Sequence, residues 1–184
     1  MTYSFAYRNL LFWLLLCVAS PAVSQVLNWK ALDSTRHIVH TSLGMDNGTV
    51  WHVGYSYKLQ LGQPLVLGAQ AAKPSGAVWL DDFTAQVGGQ YVLFSRTHWV
   101  GSAAAYGLYR QYGSRAVRLQ NFGSEMSLVF GYYRKHWHVA AEAGFDKAIV
   151  THFKHSDLFK REVYGGVADG WYEPATGGLF NAGL

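Results

Sequence analysis

The chain has 184 residues, of which 50% are hydrophobic and 16% aromatic, but only 14% are charged, whereas charged residues make up about 25% of an ordinary soluble domain. Its formal net charge of +4 is too small to favour nucleic acid as a partner. This length is sufficient for one domain, and the composition predicts a strand-rich chain whose outer surface lies in unusual surroundings.

Residues 1–24 have the pattern of a secretory signal peptide. Arg8 supplies a positive charge, residues 10–19 form a short apolar run, and residues 22–24 form a cleavage site of small residues. An uncleaved anchor is the alternative, although the run is short for a membrane-spanning helix. Cleavage would remove Cys17, the one cysteine of the chain. We therefore expect an exported domain, residues 25–184, without disulfide or thiol chemistry.

The rest of the chain alternates between apolar and polar residues. In residues 49–59, Trp51, Val53 and Tyr55 fall on one side of a strand, while His52 and Ser56 fall on the other. The same period of two recurs along the chain. It predicts eight strands, at roughly 36–45, 49–60, 64–72, 83–94, 98–110, 124–133, 137–147 and 176–184.

The two sides of these strands differ in an unusual way. The apolar sides carry no charge, and the opposite sides are rich in Gly, Ser, Gln and Thr. A soluble sheet buries its apolar side and exposes a charged one, whereas a transmembrane barrel turns its apolar side to lipid and its polar side to the interior. The predicted fold class is therefore all-β, an eight-stranded antiparallel up-and-down transmembrane β-barrel.

The connections between the predicted strands agree with this fold. Short joints at 60–64, 94–98 and 133–137 alternate with long ones at 72–82, 111–125 and 147–176, as periplasmic turns and extracellular loops do in such barrels. The exception is residues 45–48, a tight hairpin signal. That hairpin would place His40 and Ser42 inside the barrel, and Val39, Thr41 and Leu43 outside.

Aromatic residues recur near the ends of the predicted strands. If the odd-numbered strands run outward, one aromatic girdle forms at each membrane interface. The predicted girdle residues are Tyr57, Trp99, Tyr132 and Trp137 at the periplasmic rim, and Trp51 and Tyr109 at the outer rim. The alternative is that aromatic residues are simply common in strands.

With its signal peptide and its alternating segments from Val39 to Leu184, the chain resembles the small bacterial outer-membrane β-barrels of the eight-stranded OmpA/OmpX type. The resemblance implies a protein of the outer membrane that contacts lipid and lipopolysaccharide and is inserted by the barrel-insertion machinery. We expect a monomer without cofactor. Such barrels usually finish on an aromatic residue, whereas this chain ends on Leu184 and its last segment is short for a spanning strand of about 9–11 residues. Two alternatives follow: either the chain is truncated within its last strand, or the closure of the barrel is incomplete.

Polar residues on the inward sides predict a network inside the barrel. Its members are His52, Lys58, His138, Glu142 and Asp146. Small barrels fill their interiors with paired charges and hydrogen bonds, because an unpaired buried charge is costly. The alternative to such a structural role is a path for protons or ions.

Basic residues are frequent in the predicted outer loops and beside them. They are Arg110, Arg115 and Arg118 around one loop, and Lys154, Lys160 and Arg161 in the next. Charge-assisted hydrogen bonds to the phosphates of lipopolysaccharide are the functional interpretation, and solvated loop charge is the other. The turn-rich residues 165–178, with Trp171 and Tyr172, are expected either to contact a partner or to fold back over the barrel mouth.

Two further patterns resemble catalytic or metal-binding sites but do not identify any catalytic or metal-binding residue. His152, His155 and Asp157 have the residue types of metal ligands, but a real site needs three or four converging ligands. His155 and Ser156 invite comparison with lipid A deacylases, although neighbours on an extended strand point apart. The predicted function is a structural, surface-interaction or lipopolysaccharide-contacting role. A narrow channel for small solutes and a lipid A-modifying acyl hydrolase are the alternatives.

Overall fold

The computed structural model describes residues 27–32, 34–45, 49–76, 81–162, 168–174 and 178–183. They form one antiparallel sheet in which successive strands are neighbours. Its elements are β1 His37–Met45, β2 Thr49–Leu61, β3 Gln63–Pro74, β4 Asp82–Arg96, β5 Trp99–Gly113, β6 Val117–Tyr133, β7 His138–His155, α1 Asp157–Glu162, β8 Gly170–Tyr172 and β9 Leu179–Gly183. The predicted all-β, up-and-down antiparallel arrangement is confirmed. Within the described ranges, no helix has the length and apolar character needed to cross a membrane.

One end of the sheet, called the turn end below, carries three short connections as predicted. Gly62 joins β2 to β3, residues 97–98 join β4 to β5, and residues 134–137 join β6 to β7. Gly62 has a φ of 78°, a left-handed conformation that side chains rarely adopt. The other end, called the loop end, carries the connections that follow β1, β3, β5 and β7.

The predicted long loop at 111–125 is wrong. β5 continues to Gly113 and β6 begins at Val117, so that a tight turn joins the two strands. In this turn Ser114 Oγ accepts hydrogen bonds from the backbone amides of Ala116 (3.3 Å) and Val117 (3.2 Å). Gln111 and Gln120 are paired across β5 and β6. Polar residues can form the backbone hydrogen bonds of a sheet just as apolar residues can. The polar residues at 111–125 therefore indicate where the apolar band of the sheet ends, but the strands themselves continue beyond it.

The eighth strand is divided into two pieces that both pair with β7. Tyr172 of β8 lies opposite Thr151, and Leu179 of β9 lies opposite Asp146. The predicted strand at 176–184 therefore corresponds to β9 alone, and β8 adds a short piece nearer the loop end. Among the described residues, β1 pairs only with β2, and β8 and β9 pair only with β7. The described sheet is thus open between its first and last strands.

The two faces of the sheet are sharply different. In β2, Trp51 and Val53 are 55% and 58% exposed, whereas His52 and Lys58, on the opposite face, are 9% and 5% exposed. We call the face of His52 the inner face and the face of Trp51 the outer face. The register of the pairs carries these two faces across all the strands. The predicted assignment of polar residues to one buried side is thus confirmed.

The sheet curls around its inner face. Inner residues of β1, β3, β4, β5, β6 and β7 meet in a single buried cluster that includes Ile38, Val92 and Ala140. In a flat sheet, with strands about 4.8 Å apart, strands that flank a common neighbour are separated by about 10 Å. Arg110 of β5 nevertheless reaches Asp146 of β7, and Gln86 of β4 reaches Glu125 of β6, which indicates that the sheet curves toward its inner face.

The segment that precedes β1 fills the curl at the turn end. Trp29 is 4% exposed and packs in the buried cluster, with Leu27 and Leu32 beside it. The Nζ of Lys58 donates a hydrogen bond to the Leu32 carbonyl (2.7 Å), which ties this segment to β2. The inner face is therefore covered by apolar side chains at its turn end.

We expect the substitution Trp29→Ala to lower the free energy of unfolding by about 3–5 kcal/mol, because it removes the largest side chain from the apolar cluster. Denaturant unfolding, followed by circular dichroism, measures this loss. Trp99→Ala is the matched control, because Trp99 lies on the outer face and is 47% exposed. An equal loss in both variants would contradict the assigned role of Trp29.

Candidate functional site

The middle of the inner face carries a row of polar side chains. Tyr106, Glu125 and Asp146 lie side by side on β5, β6 and β7. Arg110, two residues nearer the loop end than Leu108, forms an ion pair with Asp146. Since β6 lies between β5 and β7, this contact joins side chains that are two strands apart, which the curvature of the sheet makes possible.

A second set of hydrogen bonds extends the polar row toward β3. Gln70 Nε2 donates to Gln86 Oε1, and Gln86 Nε2 donates to Glu125 Oε2 at 3.3 Å. Glu125 therefore receives a neutral donor, while Asp146 receives the charged guanidinium of Arg110. Glu125 and Asp146 thus each have a described hydrogen-bond donor.

The five predicted interior residues all lie on the inner face, at different distances from the turn end. His52 and Lys58 are buried on β2, and the ring of His138 stacks on that of Tyr133 with centroids 5.4 Å apart. Glu142 lies opposite Val129, nearer the turn end. Of the five, Asp146 is the member of the described ion pair.

Sequence reasoning missed Glu125 and placed Arg110 with the loop cations. Arg110 lies on the inward side of a predicted strand, and Glu125 alternates with Ser127. The period of two therefore assigns both side chains to the inward face. Their partners were not visible, because the partner residues lie two strands away.

Little space remains in this polar middle. A cavity of about 10 Å³ lies among His40, Ser56, Gln70 and Tyr106, which is room for about one water molecule. The described side chains of this polar row therefore leave little room for solvent between them.

The outer face carries aromatic side chains at both ends. At the turn end, the ring of Tyr132 lies 5.3 Å from that of Trp99 and 5.6 Å from that of Trp137. At the loop end, the ring of Tyr109 lies 5.0 Å from that of Phe122, and Phe122 lies 6.0 Å from Trp171.

The two remaining predicted girdle residues lie on β2. Tyr57 is near the turn end, with its ring 5.1 Å from that of His37. Trp51 is exposed near the loop end, opposite Leu43 of β1. The structure thus distributes the six aromatic residues over the two ends as the sequence predicted, while their role as membrane girdles stays a prediction.

The six predicted lipopolysaccharide contacts lie in four different settings. Arg110 is on the inner face and pairs with Asp146. Arg115 is exposed in the turn after β5, and Arg118 and Lys154 lie directly opposite each other, exposed on the outer face. Lys160 and Arg161 belong to α1.

The connection after β7 is held by an acid with two partners. The Asp169 carboxylate accepts hydrogen bonds from Lys160 Nζ (2.7 Å), from the His155 amide (2.8 Å) and from His155 Nδ1 (3.3 Å). The hydrogen bond from Lys160, reinforced by that of the His155 amide, holds the pKa of Asp169 well below its usual range. The three residues thus tie α1 and the start of β8 to the end of β7.

This contact should weaken in acid. Because the folded-state pKa of Asp169 lies below its unfolded value of about 3.9, its contribution to stability is complete above that pH and is lost as the pH falls toward the folded pKa. We expect the His155 amide proton, followed by NMR, to titrate with a midpoint below that of a free aspartate. The titration should vanish in Asp169→Asn, and a midpoint at the ordinary value would contradict the described hydrogen bonds.

The same residues bear on the predicted hydrolase and metal sites. Asp169 can orient His155, but Ser156 Oγ accepts a hydrogen bond from the Phe159 amide (3.2 Å) at the start of α1, and no described contact joins it to His155. His152 lies on the outer face, with its ring 4.7 Å from that of Trp171. In the part of the chain that the structure describes, no three His, Cys, Asp or Glu residues converge in a way that would hold a metal ion.

Comparison with protein-family models, with curated proteins and with solved structures finds no match to this chain. A function is therefore inferred from its own residues.

Proposed function

We propose that the chain is an integral outer-membrane β-barrel whose outer face lies in lipid and whose loop end contacts lipopolysaccharide. The observation that carries this proposal is the exposed apolar outer face, with side chains such as Val39, Val87, Leu128 and Val139 more than half exposed. Folded monomers rarely expose apolar patches larger than a few hundred Å² to water. Hydrocarbon is the environment in which an outer face of this kind, around a polar interior, is stable.

The charges of the outer face support the same proposal. On the described strands, its charged residues are Lys73, Arg96, Arg118, Lys147 and Lys154, and none is acidic. Four of these five lie near strand ends, where the side chains reach the headgroup region. Lys147 is nearer the middle, and its long side chain would have to extend toward the interface.

The height of the apolar band fits a membrane. On the outer face of β6 it runs from Phe122 to Tyr132, a distance of roughly 33 Å along the strand. Strands of membrane barrels tilt by about 35–45°, which reduces this distance to about 25 Å across the bilayer. That value equals the usual height of the lipid-facing band.

Two cations at the loop end fit the phosphates of lipopolysaccharide. Arg118 and Lys154 face each other across β6 and β7, and both are exposed. Like charges directly opposite each other destabilise a sheet, unless an anion lies between them. A lipid phosphate at the interface would accept charge-assisted hydrogen bonds from both side chains.

The interior favours a barrel that does not conduct. Trp29 and its neighbours cover the inner face at the turn end, and the polar middle has room for about one water molecule. We therefore favour the surface-contact role over a channel for small solutes. We expect no leak of solutes from vesicles that contain the folded protein.

Depth-dependent fluorescence quenching tests the proposal. A bimane label at Leu128→Cys, on the outer face, should be strongly quenched by lipids with brominated acyl chains. A label at Ser127→Cys, one residue away on the inner face and 6% exposed, is the matched control and should be quenched little. Equal quenching at the two positions, or recovery of the protein in the soluble fraction, would overturn the proposal.

A further inference from the structure

A cavity of about 590 Å³ opens on the inner face at the loop end. Its size lies within the range of 300–1,000 Å³ that is usual for small-molecule sites, and mouths of β-barrels are among the places where such sites occur. None of the functional roles considered above uses this cavity.

The cavity is lined by two consecutive rows of inner residues that run across the sheet. The upper row, at the rim, consists of Asp82, Tyr112, Leu119 and Phe153. The lower row consists of Thr84, Arg110, Asn121, Thr151 and Tyr172. The rim is thus mainly apolar and aromatic, and every residue of the lower row carries a hydrogen-bonding side chain.

The next row, Gln86, Leu108, Gly123 and Ala148, leaves space on the side of β6 and β7, where its two residues are small. Gly123 and Ala148 are paired there, and a Cβ on Gly123 would lie 2.8 Å from the Lys147 carbonyl oxygen, too close for a larger residue. The Arg110 side chain extends past this row to Asp146. Arg110 is therefore held in place at the floor of the cavity, with its side chain 39% exposed.

The lower row offers oriented hydrogen-bonding groups. Asn121 Nδ2 donates to Thr151 Oγ1 at 2.8 Å and points toward the Val150 carbonyl at 3.5 Å, which assigns the other end of the amide as the oxygen. That oxygen is buried and has no partner among the described residues. Because this atom is buried, the amide has to shift before a ligand in the cavity can donate a hydrogen bond to it.

The charges around the cavity argue against an anionic ligand. Of the described lining residues, Arg110 is the only base, and its charge is offset by Asp146. Asp82 at the rim has no basic partner among the described residues, and Glu125 lies beside Asp146. The cavity thus has hydrogen-bond acceptors and a carboxylate without a described basic partner, but its one described positive charge is already paired. This favours a ligand that donates hydrogen bonds and carries no negative charge.

The aromatic rings supply flat apolar walls. Tyr112 and Tyr172 are 50% and 46% exposed, and Tyr172 meets Phe153 edge-on with ring centroids 5.6 Å apart. Exposed rings above a floor of hydrogen-bonding groups match a molecule with an apolar face and a polar rim. A pyranose ring has this form, with C–H groups on its face and hydroxyl groups, which both donate and accept, at its edge.

We propose that this loop-end cavity is a binding site for an uncharged sugar of one or two rings. Tyr112 and Tyr172 stack against the ring, Thr84, Asn121 and Arg110 bond to its hydroxyl groups, and Asp82 accepts hydrogen bonds at the rim. This site is independent of the proposed membrane role. It is formed by inner-face residues, and its chemistry is the same whether the outer face lies in lipid or in water.

Saturation-transfer NMR on the full chain, folded in detergent micelles, tests the site with glucose, N-acetylglucosamine and maltose as neutral probes. Glucosamine is the cationic probe and glucuronate the anionic one. We expect saturable binding of at least one neutral sugar with a Kd of about 10 mM or tighter, and weaker binding of glucuronate. No saturable binding of any neutral sugar, or tighter binding of either charged probe than of every neutral sugar, would overturn the proposal.

Variants separate the cavity from non-specific contact. Tyr112→Leu should weaken binding about fivefold through loss of the stacking ring, and Thr84→Val, which is close in shape, should weaken it through loss of a hydroxyl group. Tyr91→Leu is the matched control on the outer face and should leave binding unchanged; an equal loss there would contradict the site. Circular dichroism and heat-modifiable gel mobility establish that each variant is folded. A barrel that is folded and quenched by lipid, yet binds no sugar, would remove this site and leave the membrane assignment in place.

Discussion

Arginine in place of Leu128 should lower the free energy of unfolding in lipid by about 2–4 kcal/mol, the usual cost of an arginine at the bilayer midplane. Leu128 lies on the outer face of β6, is 61% exposed, and stands between the aromatic residues of the two ends. In water the same change would add charge to an exposed position, with an effect of about 0.5 kcal/mol or less. Denaturant unfolding in phospholipid vesicles distinguishes the two environments.

Two further substitutions control this measurement. Gln63→Arg places the same side chain on the outer face at the turn end of β3, and its effect should be about 0–1 kcal/mol, as expected near an interface. Lys147→Leu is the reciprocal change and should stabilise the protein in lipid, because it removes the cation nearest the middle of this face. If Leu128→Arg had no larger effect than Gln63→Arg, the outer face would not lie in hydrocarbon.

Removing one member of the interior ion pair should also be costly. Arg110→Leu removes the guanidinium partner of Asp146, whose side chain is 14% exposed. The Asp146 carboxylate then lies beside Glu125 without this cation. Breaking a fully buried pair costs about 3–5 kcal/mol. Because the Arg110 side chain is 39% exposed, we expect a loss of about 2–3 kcal/mol in the free energy of unfolding.

The double variant Arg110→Leu/Asp146→Leu should recover most of that loss, since no unpaired charge is left and similar volume is packed. The four proteins of this cycle, compared by denaturant unfolding in detergent, measure the coupling between the two side chains. Arg118→Leu is the control for loss of a cation alone, because Arg118 is exposed on the outer face. Additive effects of the two single changes would contradict the described pair.

The period of two was sufficient to assign residues to faces. His52, Lys58, Glu142 and Asp146 were all predicted on the inward side and lie there, because successive side chains of a strand must point to opposite faces. The same rule placed Val39 and Leu43 outside and His40 inside, which the register of β1 against β2 confirms. The nature of the surroundings, lipid or water, is not contained in this period and stays a proposal.

Alternation changes its phase where a strand contains an extra residue. A β-bulge in β7 brings both Ile149 and Val150 opposite Phe122, so that Gly123 pairs with Ala148. Beyond this point the parity changes, and Thr151 and Phe153 face inward. A bulge has no clear signal in a single sequence, yet this one brings two residues into the wall of the loop-end cavity.

The sequence by itself determined the strand-rich fold, the order of the strands and the two faces, because these follow from the local geometry of an extended chain and from adjacent pairing. Only the tertiary structure decided that Arg110 meets Asp146 across an intervening strand, that Trp29 covers the inner face at the turn end, and that two rows of side chains enclose a cavity at the loop end. These features depend on curvature, on a bulge and on contacts between residues that are distant along the chain, and such contacts leave no period in the sequence.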